Sequence, residues 1–529
     1  MIRLGEMMKV MLVEAIFPQM HGYEVVFPFG YACLGAILQR EGHDVDYVFP
    51  TASNLSMRDV VNLISNADVD LIGIGGLLPH LPAVIKLVRM IKAVRQNIPI
   101  VLGGQMVTYT PELALKMTSA DFGIAGEGEI ALLKLVDCLE AKKDYSEILG
   151  LVFKRDRRVI CNGISETMPL EQIPMPNWND FPMDYYFFAG SRPPMLSQNT
   201  GPKKAFSWML SRGCPMRCNF CASGSKPRYK TITQSLIELQ EIVKRFDPDY
   251  ITFVDNLFTP NKKYTIDLCE AFIANGFRFE FSVASRANLV DRELLRVLRR
   301  AGCRAVFYGL ECANDNILRF MNKGITTEQM IKAIEMTKEA DIYPMVSIMF
   351  GQPGETFDDF FNSLRIALMS INPKNPVPNI ASIMPLLTFP GTDIYSYAKQ
   401  HRYFASDEEY WNRYKGSHRI HYANDYTKEA IGEVWEIANT IIRWKYNQSM
   451  ADNLLKSLRY RRLSYLDSQC RLPTKDREHL GKFLDRCLNM LVKQQSERGK
   501  KHASYRWRNT GARAGKRGRY SIHGLVEKA

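Results

Sequence analysis

Three cysteines, Cys214, Cys218 and Cys221, fall within eight residues of the run Ser-Arg-Gly-Cys-Pro-Met-Arg-Cys-Asn-Phe-Cys-Ala, directly after the apolar segment Ala205 to Leu210. Thiolates crowded onto one loop in this way are metal ligands. Four cysteines would satisfy a four-iron four-sulfur cube, whereas three hold three irons and leave the fourth open for a reacting molecule. A structural zinc site would need a fourth Cys or His, normally in a second, separated pair. No such pair accompanies these three.

Two sets of elements must position that loop. From Lys204 to about Gln400, strand-like runs near Phe206, Ile251, Phe279, Val306, Val346 and Ile383 are each followed by a helical stretch. Six such repeats predict a partial (β/α)6 barrel that carries its chemistry at the carboxyl ends of the strands. Those ends read Asp255-Asn256, Ser285-Arg286, Gly309-Leu310-Glu311 and Phe350-Gly351-Gln352-Pro353-Gly354-Glu355-Thr356. Upstream, Lys9 to Ile16, Asp44 to Phe49, Leu71 to Gly75, Ile98 to Leu102 and Phe122 to Ala125 alternate with helical periodicity, which predicts an α/β domain with a doubly wound parallel sheet. Its strand ends are rich in glycine: Gly73, Gly75 and Gly76, then Gly103-Gly104, then Gly126-Glu127-Gly128-Glu129. Glycines at the ligand-binding edge of an open sheet admit a large ligand close to the backbone. None forms a GxGxxG fingerprint, so a dinucleotide is disfavoured.

The cysteine spacing resembles that of the radical S-adenosylmethionine superfamily. In that family the open iron chelates the methionine moiety, and electron transfer releases a 5′-deoxyadenosyl radical. The resemblance implies a four-iron four-sulfur cluster on Cys214, Cys218 and Cys221, and S-adenosylmethionine beside Phe220 and the barrel loops. Asp255 or Asn256 would face its amino group or ribose, Arg286 its carboxylate, Glu311 its ribose, and the backbone around Gly351 its adenine. A simple Glu311–Arg286 ion pair, and a turn and helix start at Gly354-Glu355-Thr356, are the structural alternatives. The run Phe27-Pro28-Phe29-Gly30, the segment Arg40-Glu41-Gly42-His43-Asp44-Val45, Val101-Leu102-Gly103-Gly104 and Gly126-Glu127-Gly128-Glu129 together resemble the cobalamin-binding domain of cobalamin-dependent members, from Lys9 to about Lys142. Cobalamin would then rest on Gly75, Gly76, Gly103, Gly104, Gly126, Glu127 and Gly128. Two departures stand out: no Asp-x-His-x-x-Gly supplies an axial histidine, and Gln105-Met106 replaces the Pro-His of many relatives. His21, His43 and His80 are read as loop or surface residues.

Boundaries are expected at 1–148 for the cobalamin-type domain, 149–203 for a hairpin (Leu151 to Lys154, Arg158 to Cys161) and Pro-rich linker, 204–400 for the barrel, 401–495 for a helical region, and 496–529 for a basic tail. The linker's aromatics, Trp178 to Phe188, read as packing residues. The cluster Tyr410, Trp411, Tyr414, His418, His421, Tyr422 and Tyr426 is a candidate substrate contact with packing as its alternative.

Net charge is +13, but the tail from Met490 holds eleven Lys or Arg against two Glu, which leaves +4 for the rest. Contact with nucleic acid or an anionic surface is therefore expected only through that tail. Eleven cysteines in 529 residues argue against a disulfide framework. No signal peptide or transmembrane run is read, which predicts a cytoplasmic enzyme.

The resemblance favours methylation of an unactivated carbon or phosphorus centre of a small molecule, with a low-potential donor such as flavodoxin or ferredoxin. The alternatives are an anaerobic tetrapyrrole-type cyclase or rearrangement enzyme, and a non-catalytic cobalamin carrier or sensor. Methylthiolation of RNA would require upstream cluster ligands, for which Cys33, Cys138 and Cys161 are too scattered.

Overall fold

The structure is a computed structural model describing residues 7–15, 27–188, 204–370, 382–414, 420, 422, 433–434, 436–438, 458 and 477–490. Seven strands form the first sheet: β1 (Lys9–Glu14), β2 (Asp44–Val48), β3 (Leu71–Gly75), β4 (Ile100–Gly103), β5 (Phe122–Ile124), β6 (Leu151–Arg155) and β7 (Arg158–Cys161). Their order is β2-β1-β3-β4-β5-β6-β7; the first five are parallel, and β6 and β7 close the edge as the expected antiparallel hairpin. β3 and β4 are apolar throughout, and β1 is apolar between its end residues Lys9 and Glu14, because helices cover both faces. Met11 and Val13 enter one core, and Val10 and Leu12 the other. The order reverses between β1 and β3, and the crevice at such a switch point is where open α/β sheets bind ligands.

β8 (Ala205–Trp208) starts the second sheet, and the antiparallel hairpin of β9 (Ser211–Cys214) and β10 (Ser225–Tyr229) follows it. β11 (Tyr250–Phe253), β12 (Glu280–Ser285), β13 (Cys303–Glu311), β14 (Tyr343–Phe350) and β15 (Ser382–Pro385) complete a six-stranded parallel sheet in sequential order, the expected half-barrel. Its helices begin with side-chain caps: Thr231, Asn261, Asp291 and Thr326 each accept a backbone N–H of the first turn.

Several expectations change in detail. β1 ends at Glu14, and the third barrel strand starts at Glu280, one residue after Phe279. His43 and His80 are buried rather than superficial. His80 Nδ1 accepts the Leu77 N–H at 3.2 Å, and burial lowers its pKa to about 4. Trp178, Phe181, Tyr186 and Phe187 do pack, joining Phe27 and Phe206 in one aromatic cluster. Tyr410, Trp411 and Tyr422 are core residues, and Tyr422 bonds Thr388 at 2.9 Å. Tyr414's side chain, His21, His418, His421, Tyr426 and the basic tail lie outside what is described.

The chain divides into two units, Met1–Ser449 and Met450–Ala529. In the second, residues 477–490 are helical with Leu480, Phe483, Leu484 and Cys487 buried. Among the described residues no helix is long and apolar enough to cross a membrane.

Candidate active site

Cys214 closes β9, and Cys218 and Cys221 lie on the turn leading to β10. A single zinc ion with Zn–S of about 2.3 Å would draw its thiolates to about 3.8 Å from one another. Among the described residues only His43, Asp137 and Glu140 bring three ligand atoms within 4.8 Å. The three thiols do not form such a group, so they are not drawn together as the ligands of one zinc ion would be. Burial raises the pKa of Cys218, while the Lys323 and Arg286 cations beside it pull the other way, toward the thiolate a cluster needs. Lys323 Nζ also lies 5.6 Å from the centre of the Phe220 ring.

Arg286 follows β12 and is 7% exposed. Its Nε has no partner, and no ion pair joins its guanidinium to a described residue. A buried cation in that state is costly unless an anion completes it. Glu311 ends β13 at φ +63°, beside a register shift against β14, and a residue held in this sparsely populated region is the kind of strain that collects at binding sites. It pairs with Lys323 at 2.7 Å and not with Arg286, so the alternative ion pair does not form. Gly351, at φ +86°, has open space where a Cβ would stand. Behind it, Glu355 Oε2 accepts the N–H groups of Gly351 and Gln352 at 2.5 and 3.0 Å, and Cys312 Sγ lies 3.6 Å from Oε1. Burial raises the Glu355 pKa to about 8. Thr356 and Asp359 exchange hydrogen bonds at the helix start, so the segment is both loop support and cap.

Asp255 and Asn256 divide differently. The Asp255 carboxylate is buried and accepts the Leu210 N–H at 3.2 Å and the Ser211 hydroxyl at 2.5 Å, which ties down the entry to β9; burial raises its pKa to about 6. Asn256 is exposed and open to a ligand.

The glycines of the first sheet also separate. A Cβ on Gly103 would meet nothing within 4 Å, so a ligand can approach this strand end. Gly104, at φ +80°, is needed by the fold, since its Cβ would sit 2.6 Å from the Gly76 carbonyl. Cβ atoms on Gly75, Gly76, Gly126 and Gly128 would meet Tyr31, His80, Ser165 and Leu34 respectively. Glu14, at the end of β1, has its pKa raised to about 7 by burial.

Glu127 is not free for a ligand. One oxygen binds Arg212 Nη1 at 2.7 Å and the other binds Arg228; Arg212 Nη1 also meets Glu129 Oε1 at 2.7 Å. These pairs tie the glycine-rich loop after β5 to the hairpin that begins the cluster loop. Tyr109, after β4, donates its hydroxyl to the Ala222 carbonyl, one residue past Cys221. Arg212 lay within the cysteine run, but its partners are 83 and 85 residues upstream. Arg212, Tyr109 and Lys323 thus escape a sequence reading, because no local pattern announces a long-range pair.

Residues 208–367 match the Radical SAM superfamily and residues 21–136 the B12 binding domain. An uncharacterized methyltransferase of Pyrococcus horikoshii is 28% identical over 77% of this chain and 85% of its own length. The anaerobic magnesium-protoporphyrin IX monomethyl ester cyclase of a Synechocystis strain is 25% identical over 73% of this chain and 75% of its own. The fold is shared with the radical S-adenosylmethionine methyltransferase TsrM from Kitasatospora setae, solved with cobalamin and a four-iron four-sulfur cluster bound (TM-score 0.61, 16% identity, 75% of this chain and 78% of that one).

Proposed function

Because this chain is a radical S-adenosylmethionine enzyme that carries a B12-binding domain, we propose that it is a cobalamin-dependent methyltransferase acting on an unactivated carbon or phosphorus centre of a small molecule. The observation that carries this reading is the contact of Tyr109 with Ala222, which brings the segment that follows β4 and Gly103 against the residue after Cys221 in the three-thiol loop. Methyl transfer needs both cofactors over one substrate, and this packing supports that arrangement. The relatives named as methyltransferases add to it.

Cys214, Cys218 and Cys221 would hold the cluster, Arg286 the carboxylate of S-adenosylmethionine, Asn256, Glu311 or Lys323 its polar groups, and Gly351 its adenine. Gly103 and the β1–β3 crevice would receive the corrin without a histidine ligand. When bound, these cofactors supply the electron, the radical and the methyl group. The chain's own residues position them: Asp255 anchors the start of β9, Glu355 the Gly351 loop, and Arg212 with Glu127 and Glu129 the two strand-end loops. We assign 1–148 to the cobalamin domain, 149–203 to the hairpin and linker, 204–400 to the barrel, 401–495 to the helical region and 496–529 to the tail. A cytoplasmic setting and a flavodoxin- or ferredoxin-type donor accompany the proposal.

The test is anaerobic reconstitution with iron, sulfide, hydroxocobalamin and a strong reductant. 5′-Deoxyadenosine should form from S-adenosylmethionine, cobalamin should survive desalting, and label from a methyl-labelled cosubstrate should reach a compound in a metabolite extract. Deoxyadenosine with no methyl transfer and no retained cobalamin would move the assignment to the cyclase or rearrangement reading that the Synechocystis relative represents. No deoxyadenosine at all would refute radical chemistry.

A further inference from the structure

The two faces of the half-barrel differ in character toward the carboxyl ends of β11, β13, β14 and β15. Phe253, Tyr308 and Phe350 point at the outer helices: rings join Phe253 to Phe272 and Phe350 to Phe360, and the Tyr308 hydroxyl lies 2.8 Å from Thr337. Side chains alternate along a strand, so their neighbours Thr252, Val254, Phe307, Ser347 and Met349 face the concave side, and Met384 joins them through its pairing with Met349. The outward three are buried, whereas these six are half-buried or exposed. A barrel filled by its own side chains would bury both sets. The six carry no charge. Of the charged groups argued above at those strand ends, Asp255 and Glu355 are buried carboxyls held by backbone N–H groups, and the cations, Arg286 and the Lys323 that pairs with Glu311, are taken up by the S-adenosylmethionine site proposed above.

We infer that the concave face of the half-barrel binds an uncharged, mainly apolar section of the methyl acceptor, and so selects a hydrocarbon-rich substrate over a phosphorylated or nucleotide one. This rests on the reading of the chain as a radical methyltransferase. A phosphate laid against Phe307, Met349 and Met384 would lose its water and find no cation in exchange, whereas a hydrocarbon surface loses nothing there. The two unbranched thioether side chains can shape themselves to an irregular skeleton.

Equilibrium dialysis of the reconstituted holoenzyme, with farnesol as a neutral apolar probe and cytidine monophosphate as a charged one, tests this. Farnesol should bind saturably at about one per chain, and the nucleotide should not. Met384→Lys, at a site already 39% exposed and so tolerant of the change, and Met349→Lys should each weaken farnesol about ten-fold or more, while Met349→Leu should not. Iron content and cobalamin retention show that the variants are folded and loaded. Farnesol binding that both lysine variants leave intact, or saturable nucleotide binding, would overturn the inference. Deoxyadenosine formation by the same wild-type preparation reports separately on the proposed function, so an enzyme that forms it yet binds farnesol no better than the nucleotide refutes the lumen assignment alone.

Discussion

Replacing Arg286 by methionine should move stability and ligand affinity in opposite directions. The side chain is 7% exposed, its Nε is unsatisfied, and no described residue pairs with its guanidinium. A buried polar group left without a partner costs about 1–3 kcal/mol, and a charged one more. Methionine keeps the apolar contacts of the arginine stem, so the ligand-free variant should be more stable by roughly 1–3 kcal/mol. If the guanidinium waits for a carboxylate, the same change removes a charge-assisted contact worth about 1.5–3 kcal/mol, which is a rise in dissociation constant of roughly 10- to 150-fold. Arg286→Lys keeps the charge without the two-pronged geometry, and should lose affinity without gaining stability. Melting of the ligand-free protein and dialysis of S-adenosylmethionine against the cluster-loaded protein measure the two quantities. A variant that melts lower and binds S-adenosylmethionine as tightly as the wild type would make Arg286 a structural residue and refute the reasoning.

Alanine at Cys214, Cys218 or Cys221 should abolish 5′-deoxyadenosine formation; Cys269→Ala and Cys303→Ala, at buried thiols away from the loop, should retain it when product is followed by chromatography. Cys312 is a poor control for that experiment, since its thiol supports Glu355. Gly103→Leu should lower cobalamin retained after desalting with the melting temperature unchanged, whereas Gly104→Ala should destabilise the protein itself, because φ +80° and the Gly76 carbonyl both oppose a side chain. Burial raises the Glu355 carboxyl pKa to about 8 in the folded state, so the folded protein holds a proton that the unfolded chain releases above the ordinary carboxyl range. Its contribution is full at acid pH and lost as pH rises through about 8; Glu355→Gln should flatten the pH dependence of melting across that window.

The chain's local patterns determine a great deal by themselves. The cysteine run, the two alternations of strand and helix, and the hairpin from Leu151 to Cys161 are legible because each depends on neighbours a few residues apart: loop spacing, apolar periodicity and turn residues. The same is true of the glycine-rich strand ends as a set. Which glycine serves a ligand and which serves the fold is not local. Gly103 is open while Gly104 is held against Gly76, a distinction that exists only once β3 and β4 lie side by side. Carboxylates behave likewise. Asp255, Glu127 and Glu311 all stand at strand ends, yet the folded chain commits the first to Ser211, the second to Arg212 and Arg228, and the third to Lys323. Arg286 alone among the strand-end charges argued from sequence is left without a described partner. Sequence supplies the inventory of charges; pairing is decided by residues tens of positions apart meeting in a low-dielectric interior, where a partner within hydrogen-bond reach outweighs any local preference.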